Sequence, residues 1–175
     1  MAHHESDLFI RSLFLLFILK KGGLLLIIRP YVSSDCSQMA QLFYDTVHTI
    51  NRKDYTKEQC NAWATGQIDL AAWDNSFLAH HTLVAVEDDK IVGFGDIDST
   101  GYLDRLYIHK DYQNRGIASA LCQQLEQAFS VPKISVYASI TARPFFEKMG
   151  YITQYQNQVE RNGVRLYNYF MEKTL

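Results

Sequence analysis

Cysteine is scarce in this sequence, and its scarcity excludes some classes of protein. Only 3 of the 175 residues are cysteines, namely Cys36, Cys60 and Cys122. Their number is odd, they stand far apart and no Cys-x-x-Cys pair occurs, which speaks against a disulfide framework and against a zinc site. We therefore expect three reduced thiols in a cytoplasmic protein that binds no metal.

A strong excess of charge of one sign is also missing. The formal net charge is −2, with 21% charged and 47% hydrophobic residues. Such a chain lacks the broad basic field that holds nucleic acid or an anionic membrane surface, so we expect neither partner and any anion site must be local. The length and the apolar content fit one globular domain with a core of its own.

A hydrophobic run long enough to span a membrane is absent as well, although the beginning of the chain comes close. Residues 8–23, LFIRSLFLLFILKKGG, are nearly all apolar, but a membrane span needs about 20 such residues. Acidic residues precede the run, whereas a signal peptide has a basic start. We expect residues 1–23 to be an apolar extension that packs on a neighbouring subunit of a homodimer, or back on residues 24–175, which form the single domain.

Apolar periodicity and turn residues predict alternating strands and helices in the rest of the chain. In chain order they are a strand at 24–30, a helix after Asp35, a helix from Thr56 to about Ala64, strands at 82–87, 90–98 and 101–109, a helix at 115–130, a strand at 133–139, a helix at 141–150 and a hairpin around Asn162-Gly163. Only a polar linker is predicted between Ala64 and the next strand. The strand–helix–strand unit predicts that strands 101–109 and 133–139 are parallel neighbours.

The segment QNRGIA, residues 113–118, joins a predicted strand to a predicted helix. A helix N-terminus offers unpaired backbone N–H groups and the positive end of the helix dipole, and such ends bind phosphate. Gly116 would let the backbone approach a ligand closely, while Arg115 adds a cation and Gln113 a neutral donor. The spacing is neither a P-loop nor a GxGxxG motif. An ordinary strand-to-helix turn is the alternative.

The run LDRLYIHKDYQNRGIASALCQQLE, followed by a strand and then by ARPFFEKMGY, resembles the GNAT superfamily of acyl-CoA-dependent N-acetyltransferases. The resemblance covers residues 24–173. It implies a mixed α/β fold in which a mostly antiparallel sheet of six or seven strands has helices on both faces. It also implies transfer of an acetyl group from acetyl-CoA to a primary amine of a small molecule or protein. No cysteine stands with a histidine and a carboxylate at a readable spacing, so we expect direct attack in a ternary complex rather than an acyl-enzyme.

By the same resemblance, QNRGIA would cradle the pyrophosphate of the cofactor, and the preceding strand would offer backbone groups to its pantetheine arm. In the family the strands that correspond to 101–109 and 133–139 splay apart, and the thioester lies in the gap. The implied cofactor-binding residues are Leu106, Ile108, Gln113, Asn114, Arg115, Gly116, Ile117, Ala118, Ser139, Phe145 and Phe146.

One departure from the family concerns the last helix, SITARPFFEKMGY at 139–151. Ser139 stands where the family commonly has asparagine, and Phe146 stands where a tyrosine usually acts as general acid. Phenylalanine cannot donate a proton, so either solvent or another tyrosine protonates the thiolate, or protonation is not rate-limiting. Tyr107 and Tyr137 are candidate replacements, and the alternative for each is a half-buried sheet residue. The missing tyrosine keeps open a non-catalytic acyl-CoA-binding module, and the turn alone would also suit a nucleotide-binding protein.

Asp104 is our first candidate for the general base. It shares strand parity with Leu106 and Ile108, which predicts an apolar environment in which its pKa would rise. The alternative is an ion pair with Arg105. Further candidates, each with a structural alternative, are Asp96, Asp98, His48 and His109.

Three aromatic residues could form a wall for the amine acceptor by packing or by cation–π contact. They are Tyr55, Trp63 and Trp73, and Asp96 could bind the charge of the amine. Each tryptophan could equally belong to the core.

Overall fold

A mixed β-sheet organises the chain in the computed structural model, which describes residues 17–21 and 24–175. The strands are β1 Phe17–Lys21, β2 Leu24–Pro30, β3 His81–Glu87, β4 Lys90–Ile97, β5 Tyr102–Ile108, β6 Lys133–Ser139, β7 Ile152–Arg161 and β8 Val164–Thr174. The helices are α1 Cys36–Thr49, α2 Lys57–Trp63, α3 Leu70–Ala79, α4 Ile117–Glu126 and α5 Arg143–Lys148. The predicted α/β fold with a mostly antiparallel sheet is confirmed.

The eight strands lie in the order β1-β2-β3-β4-β5-β6-β8-β7. All neighbours are antiparallel except β5 and β6, which are parallel as their strand–helix–strand connection predicts. β7 and β8 form the predicted hairpin, whose turn residues Asn162 and Gly163 have φ of 51° and 75°. Both values suit the two-residue turns that match the twist of a hairpin.

The parallel pair β5 and β6 separates soon after it forms. Its register contains only Tyr102 opposite Ser135 and Leu103 opposite Val136. The rest of β5, as far as Ile108, therefore has backbone groups that find no strand partner on that side among the described residues. The separation opens a gap in the middle of the sheet.

Two hydrophobic clusters pack on opposite faces of the sheet. Consecutive residues of β3 alternate between them, with Leu83 in one cluster and Val84 in the other. The first cluster includes Leu121 of α4, and the second includes Phe43 of α1 and Phe77 of α3. Among the described residues, none of the helices has both the length and the apolar character that a membrane span requires.

The prediction of a plain linker after Ala64 is wrong, because α3 lies there. Its N-cap is Asp69, whose carboxylate accepts a hydrogen bond of 3.0 Å from the backbone N–H of Ala72. Trp73 and Phe77, four positions apart, form its inward side. Many of its other residues are exposed, which weakens the periodicity that would reveal it.

The apolar extension contributes one strand beyond the number expected. Residues 17–21 pair antiparallel with β2, from Phe17 opposite Ile28 to Lys21 opposite Leu24. Residues 1–16, 22 and 23 lie outside the described residues. Packing of the extension on a neighbouring subunit therefore stays a prediction.

Two glycines of β4 bring α4 close to the sheet. A Cβ on Gly93 would lie 2.8 Å from Ile108 Cδ1, the end of a side chain that can rotate. A Cβ on Gly95 would lie 2.8 Å from Leu125 Cδ1 and 2.9 Å from the backbone oxygen of Arg105, which cannot move aside alone.

We therefore expect Gly95→Ala to lower the free energy of unfolding by about 1–3 kcal/mol, the usual cost of overpacking. Gly93→Ala is the matched control and should cost less. Urea denaturation of both variants measures the difference. An equal or smaller loss for Gly95→Ala would contradict the close backbone contact.

Candidate active site

The gap between β5 and β6 opens into a cavity of ≈ 840 Å³. This volume lies within the usual range of small-molecule sites. The cavity is lined by β5, the turn that follows it, the start of α4, the end of β6, and α5. All eleven residues predicted to bind the cofactor line it: Leu106, Ile108, Gln113, Asn114, Arg115, Gly116, Ile117, Ala118, Ser139, Phe145 and Phe146.

The N-terminus of α4 faces this cavity without a side-chain cap from the described residues. Its N-cap, Gly116, has φ of 83°, and a Cβ added there would meet nothing within 4 Å. The first intrahelical bond runs from the N–H of Ala120 to the oxygen of Gly116 at 3.1 Å. The amides of residues 117–119 are therefore left for another acceptor, at the positive end of the helix dipole.

The side chains of Gln113 and Arg115, both in the turn before α4, make different contacts. The amide of Gln113 donates a bond of 2.7 Å to the carbonyl of Ile108 and so ties the turn to the end of β5. Its role as a donor to an anion stays a prediction. Arg115 lies over the ring of Tyr112 at 4.5 Å and 3.4 Å from the carboxylate of Glu87. Its side chain is 47% exposed, so it can turn toward the cavity.

The α5 side of the cavity is mostly apolar. Phe146 is buried and packs against Phe145 and Tyr151. Ser139 accepts a hydrogen bond of 3.0 Å from the N–H of Ala142, and its hydroxyl hydrogen remains available to a ligand.

A β-bulge interrupts β5 at the cavity wall. Arg105 lies opposite Asp96, whereas Leu103 lies opposite the next residue of β4, Ile97. Asp104 is therefore the extra residue of β5.

The bulge overturns the parity argument for Asp104. Leu103 and Leu106 pack on the same hydrophobic cluster although they differ in parity. Asp104 and Arg105 are side-chain neighbours, with Arg105 Nη2 3.1 Å from Asp104 Oδ2. Asp104 lines the cavity with 30% of its side chain exposed. The predicted apolar environment is wrong, and the alternative of an ion pair with Arg105 is confirmed.

A buried polar cluster lies behind this wall. Oδ2 of Asp96 accepts hydrogen bonds from His80 Nδ1 at 2.6 Å and from Arg105 Nη1 at 3.1 Å. Asp96 is fully buried, and burial raises its pKa to about 6 although the charge of Arg105 opposes the shift. Asp96 does not line the cavity, so the prediction that it contacts the acceptor is wrong. His80 is the C-cap of α3. It was not predicted as a site residue, because that helix was not predicted either.

Tyr107 lines the cavity between two aromatic rings. It meets Phe43 edge-on at 4.9 Å and stacks on Phe94 at 5.7 Å. Burial raises the pKa of Tyr107, so its hydroxyl stays protonated at neutral pH and can donate a hydrogen bond.

Of the three aromatic residues predicted for the acceptor, only Trp63 lines the cavity. Tyr55 is buried, and its hydroxyl donates to the carbonyl of Tyr167 at 2.7 Å and accepts from the N–H of Ile140 at 2.9 Å. The prediction for Tyr55 is wrong, because both sides of its hydroxyl are engaged within the protein.

Trp73 is also a packing residue rather than part of the cavity wall. It contacts Phe43 and Phe77, and the guanidinium of Arg105 lies 5.4 Å from its ring. The predicted acceptor contact of Trp73 is wrong for that reason.

The remaining candidates for the base have structural contacts. His48 forms a hydrogen bond of 2.8 Å with the carbonyl of Ala64, and His109 accepts from the N–H of Asp111 at 3.2 Å. Asp98 accepts from the backbone N–H groups of residues 100 and 102 in the turn before β5.

An exposed aromatic row crosses the sheet beside the cavity. It consists of Tyr102, Tyr137, Phe170 and Tyr155, with ring-to-ring distances of 6.2, 5.0 and 5.2 Å. Tyr137 and Tyr155 are 40% and 50% exposed, and Tyr137 also lines the cavity. In the sequence, the alternating positions of aromatic residues within β6 and β8 were the signal that could have indicated this row. The strand register that aligns the rings, however, depends on pairings between segments distant in the chain.

Comparisons with known proteins agree with this geometry. Residues 51–174 match a family model described as an acetyltransferase (GNAT) domain. An uncharacterized N-acetyltransferase, YafP of Escherichia coli strain K12, is 36% identical over 145 residues, covering 82% of this chain and 93% of that protein.

Solved structures share the fold. A GCN5-related N-acetyltransferase from Rhodopseudomonas palustris has a TM-score of 0.80 and 32% identity, over 85% of this chain and 94% of its own. The PaiA N-acetyltransferase from Thermoplasma acidophilum, solved in complex with coenzyme A, has a TM-score of 0.68 and 16% identity, over 86% and 99%. The chain therefore belongs to the GNAT family and is an N-acetyltransferase.

Proposed function

We propose that this enzyme transfers an acetyl group from acetyl-CoA to a primary amine, which attacks directly in a ternary complex. The observation that carries the proposal is the cavity in which the free edge of β5 meets the uncapped N-terminus of α4. One end of this cavity suits a phosphate, and its long strand edge suits an extended chain with amide groups.

The residues present fit coenzyme A. The free amides at residues 117–119, the open space at Gly116 and the reach of Arg115 suit a pyrophosphate on a chain whose net charge is −2. The backbone of β5 beyond Leu103 can bond to a pantetheine arm. The coenzyme A complex of the Thermoplasma acidophilum relative supports the same assignment.

The free edge of β5 also supplies the chemistry of acyl transfer. When bound, acetyl-CoA provides the acetyl group as a thioester. A backbone N–H at the free edge would stabilise the negative charge that develops on the carbonyl oxygen. We assign to Asp104 the binding of the acceptor ammonium, since its carboxylate lines the cavity. Tyr107 would donate a hydrogen bond to the departing sulfur in place of the tyrosine that Phe146 replaces.

Direct attack is favoured over an acyl-enzyme by the state of Cys122. This thiol is buried in α4, and burial raises its pKa to about 12, so little of the nucleophilic thiolate exists at neutral pH. Cys36 and Cys60 are buried as well.

The aromatic row supports an acceptor with an apolar or aromatic body. Its rings continue the cavity wall from Tyr137 to the edge of the sheet. At the other end of the row, Tyr102 lies beside Asp104, whose charge adds to burial in raising the pKa of Tyr102 to about 12. An acceptor that places its ammonium at Asp104 and an aromatic ring over Tyr137 would be an arylalkylamine.

Gly116→Glu should abolish coenzyme A binding, because it places bulk and negative charge at the phosphate position. Binding at 100 times the dissociation constant should stabilise the wild type by about 2.7 kcal/mol, which thermal unfolding detects. Gly163→Glu is the matched control, because Gly163 has a similar φ of 75° and equally open surroundings in the β7–β8 turn. Stronger protection by ATP or NAD than by coenzyme A would contradict the proposal.

Asp104→Asn should lower kcat/KM for the amine by about 10–100-fold, the effect of losing a charged hydrogen bond of about 1.5–3 kcal/mol. The affinity for acetyl-CoA should not change. Glu172→Gln is the control, because Glu172 is 27% exposed and paired with Lys133 at 3.2 Å but does not line the cavity. Steady-state release of free thiol provides the measurement, and wild-type kinetics in Asp104→Asn would remove this residue from the mechanism.

Tyr137→Ala should raise KM for phenethylamine by about 2–10-fold, the range expected for an aromatic pair of about 0.5–1.5 kcal/mol. KM for ethylamine should change much less, because ethylamine has no ring to stack. Tyr167→Ala, which removes a 37% exposed ring outside the cavity, is the control. Equal effects of Tyr137→Ala on both amines would contradict an aromatic subsite.

A further inference from the structure

We propose that His80 and Asp96 are the proton-accepting pair of the reaction and receive, through Asp104, the proton that the acceptor ammonium must lose. The inference rests on the proposed function, since an ammonium cannot attack a thioester until it is deprotonated. Because His80 does not line the cavity, it is a positioning and proton-accepting residue behind the wall rather than a group that contacts the amine.

The contact between the two side chains sets the tautomer of the imidazole. A carboxylate can only accept hydrogen bonds, so Nδ1 of His80 is the donor in the bond of 2.6 Å to Asp96. Nε2 is then left as the basic nitrogen. The side chain of His80 is 22% exposed and that of Asp96 is fully buried, so the base has access to water while its partner does not.

Two further features stabilise a positive charge on His80. It is the C-cap residue of α3, where the helix dipole favours a cation. Its partner Asp96 also has an oxygen, Oδ1, that is buried and has no hydrogen-bond partner among the described residues. A charge on the imidazole therefore compensates a carboxylate that is incompletely satisfied.

The bulge in β5 connects this pair to the cavity. A ring nitrogen of His80, an oxygen of Asp96 and an oxygen of Asp104 lie within 4.8 Å of one another. Within this limit, water can connect Asp104 to the His80–Asp96 pair where the side chains do not bond directly. A proton leaving an ammonium on Asp104 therefore has a short route to the pair.

The charges of the cluster favour a proton over a metal ion. Arg105 is 3.1 Å from both Asp96 and Asp104, so one guanidinium faces two carboxylates and one negative charge remains. Protonation of His80 neutralises that charge, whereas a divalent cation would be repelled by Arg105. Asp98 is the other ionisable group whose charge interacts with His80, and it adds to the negative surroundings.

The reaction balances with these groups. An N–H bond of the ammonium breaks, its electron pair stays on nitrogen, and the proton passes by way of Asp104 and water to the His80–Asp96 pair, in which Nε2 of His80 is the basic nitrogen. The amine nitrogen then bonds to the acetyl carbon as the carbon–sulfur bond breaks and its electron pair leaves on sulfur. A second proton from nitrogen neutralises the thiolate, and the exposed edge of His80 returns the first proton to solvent.

His80→Gln separates this role from a structural one, because glutamine can still donate a hydrogen bond to Asp96. At neutral pH, kcat/KM for phenethylamine should fall by about 100-fold or more, the usual range for lost acid–base catalysis. In the wild type, kcat/KM should fall as the pH is lowered, because a protonated His80–Asp96 pair cannot accept another proton. In His80→Gln this dependence should be replaced by a linear rise of log kcat/KM with pH, because only amine that is already neutral in solution can react.

O-benzylhydroxylamine carries a similar aromatic body on an amine that is already neutral at neutral pH. His80→Gln should therefore cost less than tenfold with this acceptor if proton removal is the role of His80. The control is His81→Gln, which changes an exposed neighbouring histidine whose ring packs near Phe129. Equal losses with both acceptors, or an unchanged pH profile, would overturn the proposal.

A second measurement does not depend on turnover. In the protein without ligands, the Nδ1 proton of His80 should give an NMR signal that Asp96→Asn shifts or removes, because the carboxylate that accepts its hydrogen bond is gone. An unchanged Nδ1 signal would overturn the pairing, as would wild-type activity that is lost with EDTA and restored by Zn²⁺. A wild type that acetylates no amine would instead refute the proposed function, and the NMR experiment would still test the pair.

Discussion

The site depends on a sheet that stops pairing halfway along two of its strands. β5 and β6 begin as parallel neighbours through two residue pairs and then separate. Every consequence for ligand binding follows from that loss of hydrogen bonds: a cavity within the sheet, a free backbone edge and a helix N-terminus aimed at the opening. Unpaired backbone groups are costly in a protein interior, so the fold retains a region that is complete only when a ligand supplies the missing partners.

A second irregularity, the bulge at Asp104, gives the cavity its polar corner. In a regular strand, Asp104 and Arg105 would point to opposite faces of the sheet. With the bulge, their side chains meet, and the guanidinium links the cavity wall to a fully buried carboxylate on the next strand. Backbone irregularity thus brings together four ionisable side chains from α3, β4 and β5.

Much of the fold and of the proposed cofactor region could be predicted from the sequence, because those features are local. The turn around Gly116 combines a strand end, a positive φ and a helix start within ten residues, and all of its predicted residues line the cavity. The surroundings of Asp104 were harder to predict. Strand parity fails at a bulge, and nothing in the sequence marks Asp104 as a bulge residue. Tyr55 and Trp73 were assigned to the acceptor site although they pack in the protein interior. The sequence alone does not distinguish an aromatic side chain that lines a pocket from one that packs in the core. The pairing of His80 with Asp96 joins residues that only the missed α3 and the sheet register bring together.

The division between β5 and β6 has an evolutionary consequence. Most of the residues proposed to bind acetyl-CoA lie on β5, in the turn after it and on α4, whereas most of the aromatic row lies on β6, β8 and β7. In their sheet pairing the two halves share only two residue pairs. Substitutions along the outer strands could therefore change which acceptor is accepted while the recognition of the acyl donor stays intact. A fold divided in this way can evolve to accept different amines while the acyl-transfer reaction stays the same.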